Sequence, residues 1–425
     1  MTSLAPSIRP YDEADLSSHD FWSGSAAERE RTFAELRSRE PVSWHPPAEG
    51  ALFEDPADRG FWAVVKHADL VEVTRRHEDF LSGEGIVFDS LPKEFLDAGQ
   101  GFIALDPPRH TKIRRLLVSA FTPRQMDRFE GHIAANARRV VGAIADHEEA
   151  EFVSQVAAQV PLHNICDLVG VPQEYRMEVL HNTELVGGWR DQDVMQGLEP
   201  LPVMMQAVVR QFEIMSTLID DRREHPRDDL ITALVQAEVD GEQLTDQEIA
   251  SFLNLLMIAG TDTTRQSTSH GLLAMSAFPE QRAWLAADLD WRMASAVEEI
   301  VRWATPIMTF RRTAARETEL RGQRIGAGDK VILFYASANW DEEVFDRPDR
   351  LDLSRTPNPH VSFGGGGIHH CLGNQLARRQ LAATFRELLS RLPDIHVVGE
   401  PTRSTSNFFH GINSMTVRFT PGAAG

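Results

Sequence analysis

The chain has 425 residues, 42% hydrophobic and 25% charged, the composition of a folded globular protein and not of a disordered or fibrous one. Its 43 lysines and arginines against 63 aspartates and glutamates leave a net charge of −20, which argues against nucleic acid or an anionic membrane as the main partner. Two cysteines build no disulfide framework, the opening Met1-Thr2-Ser3-Leu4-Ala5-Pro6 lacks the marks of a secretion signal, and the apolar stretch Leu253 to Gly260 is too short to span a bilayer. These features point to a soluble protein of the cytoplasm.

From residue 1 to about 82, short helical pieces alternate with strand-like runs. Gly60-Phe61-Trp62-Ala63-Val64-Val65 reads as a strand, and the helix-like Ala68-Asp69-Leu70-Val71-Glu72-Val73 follows it. From Arg124 to about Leu392 the pattern is mostly helical, with stops expected at Pro161, Pro172, Pro226, Pro279 and Pro306. Strands return at Val331-Ile332-Leu333-Phe334 and at Met415-Thr416-Val417-Arg418-Phe419. No repeat, low-complexity segment or linker interrupts the chain, so one large, mainly α domain with small β-sheets is expected over residues 1–425.

One helix stands apart. Thr245-Asp246-Gln247-Glu248 is a capping box, and helical pattern runs on from Asp246 to about Ala277, before Pro279. At 1.5 Å per residue such a helix is about 48 Å long, enough to cross the molecule. Its middle carries Ala259-Gly260-Thr261-Asp262-Thr263-Thr264, poor helix formers around one acid, where a bend is expected from hydroxyls competing for backbone carbonyls.

The densest signal is Phe363-Gly364-Gly365-Gly366-Gly367-Ile368-His369-His370-Cys371-Leu372-Gly373. This glycine-rich loop delivers a cysteine to the start of a helix beginning near Asn374. There the helix dipole and unpartnered backbone N–H groups favour thiolate over thiol, and glycines allow close approach to a flat group. A thiolate on such a loop suits the fifth ligand of a haem iron. Other readings compete with it. Phosphate binding by G-x-G-x-x-G fails, because the last position falls on His369 or His370. A zinc site would need His369, His370 and Cys371 to converge on one ion without a second cysteine pair. A tight turn around an ordinary buried cysteine is the third. Cys166, in an apolar context, reads as inert core.

Together, the glycine loop and the long helix resemble the cytochrome P-450 family of haem-thiolate monooxygenases. Further matches follow in the same order along nearly the whole chain. Glu299-Ile300-Val301-Arg302 fits the family's E-x-x-R element, and the resemblance implies that Arg350, in Phe345-Asp346-Arg347-Pro348-Asp349-Arg350, completes a structural triad with Glu299 and Arg302. Asp106-Pro107-Pro108-Arg109-His110-Thr111-Lys112-Ile113-Arg114-Arg115 looks like the propionate-binding segment. His110 and Arg114, four apart on a helix, can face one anion. Arg312 and His369 match two further propionate contacts, and Phe363 and Gly365 belong to the cofactor loop.

Among family members the match is nearest to bacterial hydroxylases of steroid side chains, terpenoids and methyl-branched lipids. In that group, as here, phenylalanine stands eight residues before the ligand, and Gly364 occupies the position seven before it, which is Phe in most of the family. Ser406-Asn407-Phe408-Phe409-His410-Gly411-Ile412 also looks like that group. His370, beside the ligand, departs from it.

The resemblance implies a b-type haem held by Cys371, O2 as co-substrate, and external ferredoxin with its reductase as electron donors. Lys112, Arg114, Arg115, Arg378 and Arg379 are candidates for a basic docking face. Asp262 and Thr263 fit a proton-delivery pair, a carboxylate to relay protons and a hydroxyl to hold oxygen or water. The expected apolar pocket comprises Ile86, Val87, Phe88, Phe95, Phe102, Ile103, Ile258, Ala259, Ile307, Met308, Phe310, Phe408, Phe409 and Ile412, under a lid carrying Met195, Met204, Met205 and Met215. Such a pocket suits an elongated branched hydrocarbon hydroxylated at or near its terminal methyl. Two alternatives stay open: a peroxide-using haem-thiolate enzyme, which shares the loop and fold but usually lacks a pair such as Asp262-Thr263, and a non-enzymatic haem binder, which needs neither that pair nor an apolar pocket.

Overall fold

The computed structural model describes residues 9–53, 55–91, 96, 101–120, 123–239 and 241–422. Helices dominate. The longest spans Asp246–Ala277 and opens on the expected capping box: Thr245 Oγ1 accepts from the Glu248 N–H while the Glu248 carboxylate accepts from the Thr245 N–H. It packs against the helices Gln159–Val169, Pro200–Glu224, Leu289–Ala304 and Asn374–Arg391, which makes it the central strut. It runs unbroken through Gly260 and the threonines. Thr263, Ser267, Thr268, Ser269 and Ser276 satisfy their hydroxyls on carbonyls four residues back, so the polar run stays helical. Gly260 is needed for packing, since a Cβ there would meet Ile165 Cδ1 at 2.6 Å.

Two apolar clusters flank the strut. One gathers side chains such as Phe152, Ile300, Phe385 and Leu388, the other Ile165, Leu218, Ile231 and Leu253. Beside them a five-stranded sheet joins Val42–His45, Phe61–Val64, Lys330–Phe334, Thr309–Ala314 and Phe80–Leu81, in that spatial order. The parallel pair Phe61–Val64 and Lys330–Phe334 is buried throughout, as the continuous apolar runs require. Most expected punctuation holds. Pro172 precedes the helix Gln173–Gly187, Pro279 opens Pro279–Ala286, and Pro226 and Pro306 follow helix ends. Pro161 does not stop a helix. It lies in the first turn of Gln159–Val169, where a missing N–H costs nothing.

The helix Leu289–Ala304 carries the E-x-x-R pair fully buried. Arg302 donates to both carboxylate oxygens of Glu299 at 2.8 Å, and its remaining donors reach the carbonyls of Asn339 and Pro348. The third member is not Arg350, which is exposed. Arg355 takes that place, with Nε 3.0 Å from Glu299 Oε2 and an almost buried side chain. Arg347 turns the chain with φ 44°, and Arg350 is left outward with its carbonyl accepting from Arg355. Removing one member of a buried charge network leaves the others undercompensated. Arg355→Met should therefore cost about 3 kcal/mol of unfolding free energy, and Arg350→Met less than about 0.5 kcal/mol. Urea titrations of both variants check the reassignment, and equal losses would contradict it.

Candidate active site

The glycine loop is shaped by its neighbours. Gly364, Gly365 and Gly366 have φ of 105°, 62° and 87°, a left-handed run that side chains resist. Gly367 sits so close to the helix His67–Arg75 that a Cβ would lie 2.1 Å from the Thr74 carbonyl oxygen. A Cβ on Gly365 would likewise meet Thr74 Oγ1 at 3.0 Å, so the side-chain direction at this expected cofactor contact faces that helix. Phe363 anchors the other end. Its ring lies 4.3 Å below the Arg378 guanidinium, and its carbonyl accepts from the Cys371 N–H at 2.9 Å.

Cys371 is partly buried just before the helix Asn374–Arg391, and the Asn374 amide caps its carbonyl at 2.7 Å. The helix dipole and free backbone N–H groups alone would stabilise a thiolate here. Burial instead pushes the thiol up, and the Gly373 N–H with Arg114 and Arg378 only partly offset it. A bound metal cation supplies the missing charge and deprotonates such a thiol outright. Cys166 is fully buried and pushed up to about 12 by desolvation, as an inert core thiol should be.

Beside the loop lies a pocket built for an anion. The rings of His110 and His369 are 4.2 Å apart; His110 Nδ1 and Nε2 and His369 Nδ1 are buried with no hydrogen-bond partner. Burial, helped by Arg114 near His110 and Arg312 near His369, holds both rings neutral, at about 4 and about 2. His369 Nε2 lies 3.1 Å from Ser82 Oγ, and Arg114 donates to the His370 carbonyl at 2.6 Å. His369 and Arg312 also line a cavity of about 30 Å³ with Ile86, Ile103, Phe310, Thr74 and Tyr335. Burying cations and orphaned ring nitrogens together is costly unless an acceptor answers them. These residues fit haem, whose two carboxylates would answer the unpartnered donors and whose iron would take the Cys371 thiol. Tyr335 and Thr74 escaped the sequence reading, as nothing local marks them.

Aromatic contacts continue from Phe310, which lines this cavity. Phe310 meets Phe408 edge-on at 5.5 Å, Phe408 meets Phe409 at 4.9 Å, and Phe409 bridges to Ile307. Phe102 stacks on His110 at 5.8 Å. On the helix, Ala259 is exposed and Ile258 and Thr263 are partly exposed, although most of their neighbours are buried. Asp262 is buried, and burial raises its carboxyl to about 6 against the pull of Arg265.

Several other expected pocket residues do not line that cavity. Phe88 and Met308 belong to the core beneath the sheet, with Phe88 edge-on to Phe61 at 4.6 Å, and Ile412 is fully buried with its N–H on Gln266. Val87 is half-buried between Ile86 and Phe88, and Phe95 lies outside the described residues. Of the lid methionines, Met195 and Met215 are buried, Met204 is half-buried and Met205 is exposed. Arg190, beyond the helix Gln173–Gly187, makes a buried pair with Asp89 at 2.5 Å and so ties the two flanks together. The proposed docking cations are largely engaged: Lys112 pairs with Glu242, Arg378 with Glu298, and Arg379 with Asp127 and Glu130. No helix among the described residues is long and apolar enough to cross a membrane.

The cytochrome P450 family model matches residues 59–291 and 292–401. The chain is 40% identical over 414 residues to a methyl-branched lipid omega-hydroxylase of Mycobacterium tuberculosis, covering 97% of this chain and 96% of that one. It is 37% identical over 400 residues to a steroid C26-monooxygenase of Rhodococcus jostii, covering 92% of this chain and 82% of that one. A Mycobacterium marinum cytochrome P450 solved in complex with pseudoionone superposes with a TM-score of 0.94 at 53% identity, covering 97% of this chain and 100% of that one. Fold, thiol-bearing glycine loop, anion pocket and these likenesses agree: the chain belongs to the cytochrome P450 family of haem monooxygenases, acting with O2 on an apolar substrate.

Proposed function

We propose that this protein hydroxylates an elongated, branched apolar molecule, such as a sterol side chain, a terpenoid or a methyl-branched lipid, at or near a terminal methyl. The observation that carries this reading is the apolar lining that Ile86, Ile103 and Phe310 give the cavity beside His369 and Arg312, extended by the ring contacts of Phe310 with Phe408 and of Phe408 with Phe409. Relatives named for methyl-branched lipids and for steroid C26 oxidation support it. In this reading the cofactor is haem b. Cys371 would hold its iron through the thiolate, and His110, Arg114, Arg312 and His369 would hold its carboxylates. Bound haem supplies the activation of O2 for insertion into an unactivated C–H bond.

The protein's own part is to bind, orient and deliver protons. Asp262, with a carboxyl that titrates near 6, can both hold and release a proton at neutral pH, and Thr263 presents a hydroxyl one residue on. Electrons come from a ferredoxin and its reductase in the cytoplasm, to a chain that is one domain throughout. With few polar anchors, affinity should grow with buried apolar area, at about 0.8 kcal/mol per CH₂. A panel of sterols, terpenoids and methyl-branched fatty acids titrated into the ferric protein should shift its haem spectrum, more tightly as the tail lengthens. Binding of small polar aromatics in place of the lipids would overturn the substrate class and leave the monooxygenase standing.

A further inference from the structure

Asp262 does not stand alone on its helix. Arg265, one turn on, places Nη2 2.9 Å from Asp262 Oδ1, and the same guanidinium places Nη1 2.8 Å from Glu184 Oε1 on the helix Gln173–Gly187. The two contacts are unequal. The bond to Glu184 is aligned, whereas Asp262 Oδ1 has no aligned hydrogen-bond donor despite its short distance. The Glu184 helix also presses on the acid from above, because a Cβ on Gly187 would lie 3.0 Å from Asp262 Oδ2 and 3.3 Å from the Phe409 ring. Arg265 and Glu184 are the charged groups that act on this carboxyl, and the C-terminal turn packed beside it contributes the neutral Phe409.

We infer that Glu184 is a positioning residue for proton delivery: it draws the Arg265 guanidinium away from Asp262 and so keeps a proton available on a buried carboxyl. The physical logic is charge sharing. A guanidinium committed to Asp262 alone favours the carboxylate and holds it in one place. Divided between two acids, with its better bond to Glu184, it leaves Asp262 under the influence of burial, which favours the neutral acid. Because Glu184 is carried by the helix over the site, any movement of that helix also changes how strongly Arg265 grips Asp262. The inference rests on the reading of Asp262 as the proton carrier, and its test separates the two.

The experiment is infrared titration of the ferric holoenzyme, following the C=O stretch of the protonated buried carboxyl assigned by its loss in Asp262→Asn. In Glu184→Gln the full guanidinium charge falls on Asp262, and the titration midpoint should drop by about one pH unit. In Arg265→Met the attraction is gone and the midpoint should rise by a similar amount. Opposite shifts establish the charge sharing even where one variant is less stable. Shifts in the same direction, or none in Glu184→Gln, would overturn it. If the midpoints move oppositely while product formation per electron stays constant across pH in both variants, the charge sharing holds and Asp262 is not the proton carrier.

Discussion

Replacing Cys371 with serine should erase the strongly red-shifted carbon monoxide band of the reduced protein and reduce turnover to background. Serine offers the metal a poorly donating hydroxyl in place of sulfur, and thiolate donation is what both the band and O–O cleavage depend on. The same substitution at Cys166 should leave the band in place, since that thiol is buried in the cluster around Ile165 and far up its titration range. A band that survived Cys371→Ser would refute the assignment of the ligand. The loop itself should persist, because its shape comes from the left-handed glycines and the contact of Gly367 with Thr74, to which the cysteine side chain does not contribute.

The second large effect is expected at Asp262. Asp262→Asn keeps the shape and removes the titrating proton, so product formation should slow by about 10²–10⁴-fold. Its pH profile provides the internal control. A donor must be protonated to give its proton, and this carboxyl is half protonated near pH 6. The wild-type rate of proton delivery should therefore decline as pH rises through that value, and Asp262→Asn should lose this limb. Thr263→Ala removes the hydroxyl that now donates to the Ala259 carbonyl, and it should divert electrons into hydrogen peroxide with a smaller change in oxygen consumption. Stopped-flow oxygen and peroxide measurements distinguish these outcomes. Unchanged rate and coupling in both variants would place the proton route elsewhere.

What could be read in the sequence was whatever local chemistry marks. The capping box at Thr245, the glycine run before Cys371 and the i, i+3 pair Glu299–Arg302 each need only a few neighbouring residues, and each takes its expected form. Three things needed the fold. The partner of Glu299 is Arg355 and not Arg350, because the turn at Arg347 decides which arginine swings inward. Phe88, Met308 and Ile412 are as apolar as Ile86 and Phe310, and hydrophobicity alone does not say which side of a sheet a residue faces. The Glu184–Arg265 contact joins residues 81 positions apart, and only the packing of two helices brings them together. The thiol of Cys371 shows a different limit. Helix dipole and backbone donors are visible in the sequence, but the opposing desolvation is set by burial.

The histidine pocket has a consequence for how this molecule is made. Ser82 and His369 face each other across 287 positions of chain, and His110 and Arg312 come from two further segments between them. Closing a loop of that span carries a chain-entropy cost that the contacts across it must repay. Until it closes, no portion of the polypeptide presents more than part of this pocket. Cofactor capture is thus coupled to the finished topology: the group that binds only the completed arrangement draws the whole folding equilibrium toward it by mass action. Loss of the cofactor would accordingly be felt as lowered stability of the whole molecule, from the strand at Phe80 to the helix that begins at Asn374, and not as a local loosening around one loop.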